Sequence, residues 1–143
     1  MISLKPATIE DSYRLFNWRN DDYILQNSEL HKKVSWCTHI KWLNDFLHGR
    51  GLIWIIEPDA GMVRVEVKDK AYLSIYLFPE WQGKGLGTHI ISTVTKIATQ
   101  GLDMPIYARI LADNTVSLRA FQRAGYRLWH KEAGIVEAEH IGG

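Results

Sequence analysis

The stretch Leu77-Phe-Pro-Glu-Trp-Gln-Gly-Lys-Gly-Leu-Gly-Thr88 joins two kinds of sequence pattern, and its reading decides the fold. Before it, residues 72–78 read as a strand that stops at Pro79. After it, Leu86, Ile90, Val94 and Ile97 recur at the spacing of one helical face. Between the two, Gly83, Gly85 and Gly87 alternate, so the backbone can turn tightly and bring its N–H groups close to a ligand. A glycine-rich turn that opens a helix offers unpaired N–H donors and the positive end of the helix dipole. The stretch is an anion site, most naturally one for phosphate.

Known phosphate-binding spacings discriminate further. A P-loop requires G-x-x-x-x-G-K-[ST], whereas Lys84 lies between glycines with no Ser or Thr after it. A dinucleotide fingerprint requires G-x-G-x-x-G, but counting from Gly83 the last position is Thr88, and no βαβ unit opens the chain. The segment Gln82-Gly83-Lys84-Gly85-Leu86-Gly87 instead reads [QR]-x-x-G-x-[GA]. In this it resembles the coenzyme-A pyrophosphate loop of the GNAT superfamily of acetyl-CoA-dependent N-acyltransferases.

At 143 residues the chain has the length of one domain, 1–143, and enough residues to bury a core. Its formal net charge of +1 gives no electrostatic basis for binding nucleic acid or an anionic membrane. The lone cysteine, Cys37, excludes an internal disulfide and fits a reducing compartment. No apolar run approaches the roughly 20 residues of a membrane span. The opening Met-Ile-Ser-Leu-Lys-Pro lacks the apolar segment of a signal peptide, so the expectation is a cytoplasmic protein. Trp18, Trp36, Trp42 and Trp54 crowd the first part of the chain. They either fill a core or present aromatic faces in an acceptor cleft.

In chain order, residues 2–6 open extended. Thr8-Ile-Glu-Asp11 has the form of a capping box, and the helix it starts carries Ile9, Tyr13, Phe16 and Trp18. Polar residues over 18–22 break it, and a weaker helical stretch lies within 22–31. A third helix is expected over 39–47, closing near Gly49, with Ile40, Leu43 and Leu47 apolar and Trp42 and Phe46 beside them. Leu52-Ile-Trp-Ile-Ile56 is a continuous apolar run, the mark of a strand buried on both faces. Over 62–67, Val63, Val65 and Val67 alternate with Arg64 and Glu66, as in a half-buried strand. The strand over 71–78 puts Tyr72, Ser74, Tyr76 and Phe78 on one face and Leu73, Ile75 and Leu77 on the other. Turns over 58–61 and 68–70 make these three strands an antiparallel meander. Then come a helix over 85–99, a strand over 106–111, a helix over 114–124 stopped by Gly125, a strand over 126–129 and a last one around 135–138.

This is also the GNAT order of elements, and it covers nearly the whole chain. A second segment, Asn114-x-x-Ser117-x-x-x-Phe121-x-Arg123-x-Gly125-Tyr126, resembles the superfamily's N-x-x-[SA]-x-x-x-[YF]-x-[KR]-x-G-[FY] signature, at the expected distance after the first. Alone it reads as a capped amphipathic helix with a glycine stop. With both segments in register, the chain is identified as a member of the superfamily. The resemblance implies an α/β (α+β) fold: a mixed, mostly antiparallel central sheet, helices on both faces, and a V-shaped splay between the two central strands. It implies acetyl-CoA as co-substrate, no metal, and direct attack by a small-molecule amine without a covalent enzyme intermediate. The strand ending at Leu77 and Phe78 would offer free backbone groups to the pantetheine arm, with one N–H polarising the thioester carbonyl. Amides of Gln82, Gly83, Lys84, Gly85, Leu86, Gly87 and Thr88 would hold the pyrophosphate. Asn114 would bond the cofactor arm, and Ser117, Phe121 and Arg123 would line its far end.

One departure stands out. Many members carry tyrosine where this chain has Phe121, and that tyrosine protonates the departing thiolate. Phenylalanine has no proton to give. Either another hydroxyl, Tyr76 or Tyr126, replaces it, or the thiolate leaves unassisted and water protonates it. The base is equally open: Glu66, Ser74, Tyr76, His39 and His31 are candidates, and a water chain suffices for an amine of low pKa.

The segments Leu4-Lys-Pro, Glu10-Asp11, Trp18-Arg19-Asn20-Asp21 and His39-x-x-Trp42 resemble one GNAT branch, as does Val63-Arg64-Val65-Glu66 running into Leu73-Ser74-Ile75-Tyr76-Leu77. That branch N-acetylates nucleotide-linked deoxy-amino-sugars in pseudaminic-acid-type pathways. Arg19, Asn20, His39 and Trp42 would then meet the substrate, Arg19 by a bidentate pair with phosphate and Trp42 or Trp36 by stacking. The alternatives are acetylation of a protein or peptide N-terminus, as in the ribosomal-protein branch, and a non-catalytic acyl-CoA-binding module. The chain is short for the superfamily, which raises the expectation of a homodimer whose second copy completes a terminal strand.

Overall fold

A computed structural model describes residues 2–29 and 31–141. The strands are β1 (Ser3–Pro6), β2 (Gly51–Glu57), β3 (Gly61–Val67), β4 (Ala71–Leu77), β5 (Ile106–Leu111), β6 (Tyr126–Glu132) and β7 (Ile135–His140). The helices are α1 (Ser12–Arg19), α2 (Asp22–Gln26), α3 (Trp36–Asp45), α4 (Leu86–Leu102) and α5 (Thr115–Arg123). One sheet runs β1-β2-β3-β4-β5-β7-β6, antiparallel at every step except the parallel pair β4 and β5. β3 and β4 pair along their whole length, from Gly61 with Leu77 to Val67 with Ala71. β4 and β5 pair only at Ala71 with Ile106 and at Tyr72 with Tyr107. Past Tyr72 the two central strands diverge, which opens the splay.

Side chains alternate across the sheet and meet a helix layer on each face. Val63, Val65, Leu73 and Leu77 pack with Ile90, Ile91 and Val94 of α4 and Phe121 of α5. Ile53, Ile55 and Met62 pack on the opposite face with Leu15 of α1, Leu43 of α3 and Phe46. Leu43 and Phe46 have no exposed surface, and burial of each contributes about 2–3 kcal/mol. Coverage on both faces explains the unbroken apolar run of β2. It also corrects the expectation for β3: α1 and α3 lie over the face that carries Arg64, so that face is not a solvent face.

Several boundaries and faces differ from the sequence expectations. The Thr8–Asp11 capping box forms, but it opens a single tighter turn, Ile9–Asp11, before α1. Asp11 accepts from Lys5 at 2.8 Å, from the Thr8 N–H at 2.9 Å and from Arg14 at 2.9 Å. That pinning turns Leu15 inward and leaves Ile9 and Tyr13 exposed. α3 begins at Trp36, three residues earlier than the apolar spacing suggested, because Ser35 Oγ accepts from the Thr38 N–H at 3.2 Å. The buried face of α4 is turned toward Ile91, Thr95 and Ala98, which leaves Ile97 at its exposed edge. β6 continues past a bulge at Trp129 to Glu132 because β7 pairs with it on both sides of the bulge. Leu30, at the end of the expected helical stretch over 22–31, and the terminal Gly142 and Gly143 lie outside the described residues. Among the described residues, no helix is long and apolar enough to cross a membrane.

Candidate active site

The splay and the glycine turn meet at the end of β4. Opposed residues in an antiparallel pair alternate between exchanging hydrogen bonds and facing away. The Phe78 N–H donates to the Ala60 carbonyl at 2.9 Å, in line with the β3–β4 register. By alternation Tyr76 and Ser74 also bond toward β3, and Ile75 and Leu77 turn their backbone groups toward the gap. The Leu77 carbonyl accepts from the Gln82 side-chain amide at 2.8 Å. The Leu77 N–H and both backbone groups of Ile75 are left to line the gap. Phe78 differs from expectation: its carbonyl accepts from Trp81 at 2.9 Å, so its whole backbone is in use. What it presents is its ring, which meets Trp18 edge-on at 5.5 Å.

Gly83 and Gly85 adopt left-handed φ angles of +79° and +77°, where any side chain is strained. Gly85 caps α4 without a side-chain hydrogen bond, and no acidic residue occupies the first turn. The first helical bond runs from His89 N–H to the Gly85 carbonyl at 3.2 Å, so the amides of Leu86, Gly87 and Thr88 point out of the helix end. Gly87 needs no special conformation; an added Cβ would stand 3.6 Å from that of Ala120. Lys84 lies over Trp81, its Nζ 5.6 Å from the ring centroid. Free amides at a helix N-terminus next to unpaired strand backbone fit the pyrophosphate and amide-bearing arm of coenzyme A.

The second motif is placed differently. Asn114 Oδ1 accepts from the Ser117 N–H at 3.3 Å and so caps α5, just past the end of β5. Ser117 is half-buried and Arg123 is exposed at the helix end. Phe121 is buried in the core beneath α4 rather than lining a ligand path, its ring edge-on to Tyr126 at 5.0 Å. Tyr126 is buried as well, and its hydroxyl shares a hydrogen bond with Thr95 at 2.7 Å. Burial pushes the Tyr126 phenol up, against the Thr95 bond. The structure therefore removes Tyr126 from the candidate acids: its hydroxyl is spent inside the core.

On the opposite face Leu15, Arg19, His39, Trp42, Ile53, Met62, Arg64 and Tyr76 line a small, partly open pocket of about 20 Å³. Arg19 and Arg64 both lie over Trp42, with Cζ 4.7 Å and 5.2 Å from the ring centroid. His39 is fully buried. Its Nε2 donates to the Ser12 carbonyl at 2.9 Å, which leaves Nδ1 to accept from Arg19 Nη1 at 3.5 Å. Burial, reinforced by Arg19 and opposed by the Ser12 bond, holds His39 below the usual histidine range. With both nitrogens engaged, His39 orients Arg19 and is not free to act as a base. Burial pushes the Tyr76 phenol far up, against the pull of Arg64 and Arg19, so Tyr76 stays protonated at the pocket wall.

Asn20 does not reach the pocket. Its amide exchanges hydrogen bonds with the Val34 backbone at 2.8 Å and 3.0 Å and anchors the segment before α3. His31 is exposed between α2 and α3. Trp36 is on the surface against Phe16 and Tyr13. Ser74 pairs opposite Arg64, and Glu66 lies one step along the same face with Lys68 3.8 Å away. Sequence reasoning missed Arg64 and Tyr23 as candidate site residues. Tyr23 accepts the Gln82 amide through its hydroxyl, and Trp18 meets Tyr76 edge-on at 6.4 Å. Among the described residues, no three His, Cys, Asp or Glu side chains gather to hold a metal ion.

Comparison with known proteins agrees with this layout. The family model described as an acetyltransferase (GNAT) domain matches residues 2–127. No curated protein matches the sequence. A domain from Methanocaldococcus jannaschii is similar at 25% identity, covering 97% of this chain and 98% of that one, with a TM-score of 0.82. The aminoglycoside acetyltransferase AAC(6')-Ib, in complex with ribostamycin and coenzyme A, is 14% identical over 97% of this chain and 92% of that one, with a TM-score of 0.82. The ribosomal L7/L12 alpha-N-protein acetyltransferase RimL, in complex with coenzyme A, is 16% identical over 96% and 92%, with a TM-score of 0.78.

Proposed function

The chain belongs to the GNAT acetyltransferase family, and from that premise we propose that it transfers an acetyl group from acetyl-CoA to a primary amine of a small molecule in the cytoplasm. The observation that carries the reading is the junction of splay and turn. The backbone of Ile75 and the Leu77 N–H, which face the gap, adjoin free amides at the N-terminus of α4. Bound there, acetyl-CoA supplies an activated acyl group. The amides of residues 83–88 hold its phosphates, aided by the dipole of α4. The Leu77 N–H donates into the gap, where charge develops on an acyl oxygen. Tyr76 keeps the hydroxyl proton that Phe121 lacks, at the wall of the acceptor pocket. Attack by the amine is direct; no side chain forms a covalent intermediate.

The acceptor in this reading is the amino group of a nucleotide-linked amino-sugar. Its support is the small pocket lined by Arg19, His39 and Trp42. A second reading, a peptide N-terminus, is favoured by a separate groove of about 320 Å³ whose lining includes Glu29, Glu132 and Glu137. Arg109 in that groove pairs with Glu29 and Glu137, which reduces its acidity.

Thiol release from acetyl-CoA over a panel of nucleotide-linked amino-sugars, N-terminal peptides, aminoglycosides and polyamines tests the proposal. Turnover on an amino-sugar nucleotide, lost in Arg19→Ala with acetyl-CoA affinity kept, is the expected result. Turnover on peptides alone would move the second reading first.

A further inference from the structure

Arg64 is a half-buried cation that lies on the Trp42 ring. Its Nε is shielded from solvent and has no hydrogen bond, and among the described residues its guanidinium makes no ion pair. Leaving a buried charged donor unsatisfied is costly, so a group in this position normally meets a partner. Arg19 brings a second guanidinium to the same pocket from α1, steered by His39, while Arg64 comes from β3. Glu66, on the same face, lies 3.8 Å from Lys68 Nζ; it attracts Arg64 and Arg19 at longer range but forms no ion pair with either. Two cations thus face one cavity across the Trp42 ring. A carboxylate or phosphate oxygen is the group that satisfies such donors best.

We propose that Arg64 and Arg19 form a subsite for an anionic oxygen of the acceptor, so that the amine this protein acetylates carries a carboxylate or phosphate on the same molecule. The inference rests on the acceptor side assigned above and narrows it. At about 20 Å³ the cavity takes one small polar group, so an oxygen enters while the body of the acceptor stays at the mouth. Polycationic amines, whether polyamines or aminoglycosides, meet like charge there and are disfavoured.

Trp42 reports on the subsite because both guanidinium groups lie on its ring. The full-length protein is titrated with sodium acetate and, separately, with inorganic phosphate, at fixed ionic strength balanced with chloride, while tryptophan fluorescence is followed. A saturable change with either anion, absent in Trp42→Phe, is expected, and the anion that saturates identifies the acceptor's charged group. In Arg64→Met and Arg64→Gln the affinity falls about tenfold or more. Retention of acetyl-CoA binding by both variants, read as a thermal shift, confirms that they are folded; Arg19→Gln serves as a third variant. No saturable change with either anion, or unchanged affinity in the folded variants, overturns the subsite. Saturation by an anion in a protein that does not bind acetyl-CoA would instead sink the acetyltransferase reading and leave the subsite standing.

Discussion

Gln82 reaches back from the glycine turn to donate its side-chain amide to the Leu77 carbonyl at 2.8 Å, which fastens the turn to the last residue of β4. The same amide meets the Tyr23 hydroxyl, so α2 is tied to the junction as well. Gln82→Ala removes the clasp without touching the core. The KM for acetyl-CoA is expected to rise about tenfold, the equivalent of about 1.4 kcal/mol, with little change in thermal stability. Steady-state kinetics over acetyl-CoA concentration measure it; an unchanged KM would mean that the turn holds its shape without Gln82.

Tyr126 and Thr95 predict a separation of stability from catalysis. Tyr126→Phe leaves the buried Thr95 hydroxyl unpaired and is expected to cost about 1–2 kcal/mol in urea unfolding, with kcat unchanged. A fall in kcat with a displaced alkaline limb of the pH–rate profile would restore Tyr126 as the acid.

Gly85 supplies a left-handed residue of the turn. Gly85→Ala forces a side chain into the left-handed region, at a cost of about 1 kcal/mol, and tilts the free amides of α4. Lower stability together with weaker coenzyme-A binding by calorimetry is the expected pair. Stability loss with binding intact would separate the turn from the ligand.

Asp11 sets a pH dependence. Burial pushes its carboxyl up, but the bonds from Lys5, the Thr8 amide and Arg14 outweigh burial and hold it below the usual carboxylate range. With the folded-state pKa depressed, the unfolded chain takes up the proton first as pH falls. The stabilisation is therefore complete above the ordinary value of about 3.9 and is lost below it. Asp11→Asn is expected to destabilise the protein by about 2 kcal/mol near neutral pH, and the gap to close as the medium is acidified through that range. Urea titrations of both proteins across the range decide it; a gap independent of pH would contradict the account.

The sheet was legible because its signals are local. Val63, Val65 and Val67 alternate, β2 is apolar throughout, and glycine spacing marks the start of α4. The site was legible only where it is made of backbone: the residue 82–88 turn follows from its glycines, and the free edge of β4 from the element order. Side-chain roles depend on partners distant in sequence. Tyr126 is spent on Thr95, Asn20 on Val34 and His39 on Ser12, and no periodicity encodes those pairings. Arg64 read as the outward residue of a half-buried strand because alternation does not reveal that a second helix layer covers that face. Its opposition to Ser74, with Met62 and Tyr76 beside it, was the available signal.

The central claim is that the end of β4 and the turn before α4 form one acetyl-CoA site. Titration of ¹⁵N-labelled protein with coenzyme A, followed by amide NMR, tests it most directly. The account predicts shifts at Leu77, Ile75 and residues 83–88, with the amides of Thr95 and Tyr126 unmoved. Shifts confined to other parts of the chain, or none at saturating coenzyme A, would contradict it.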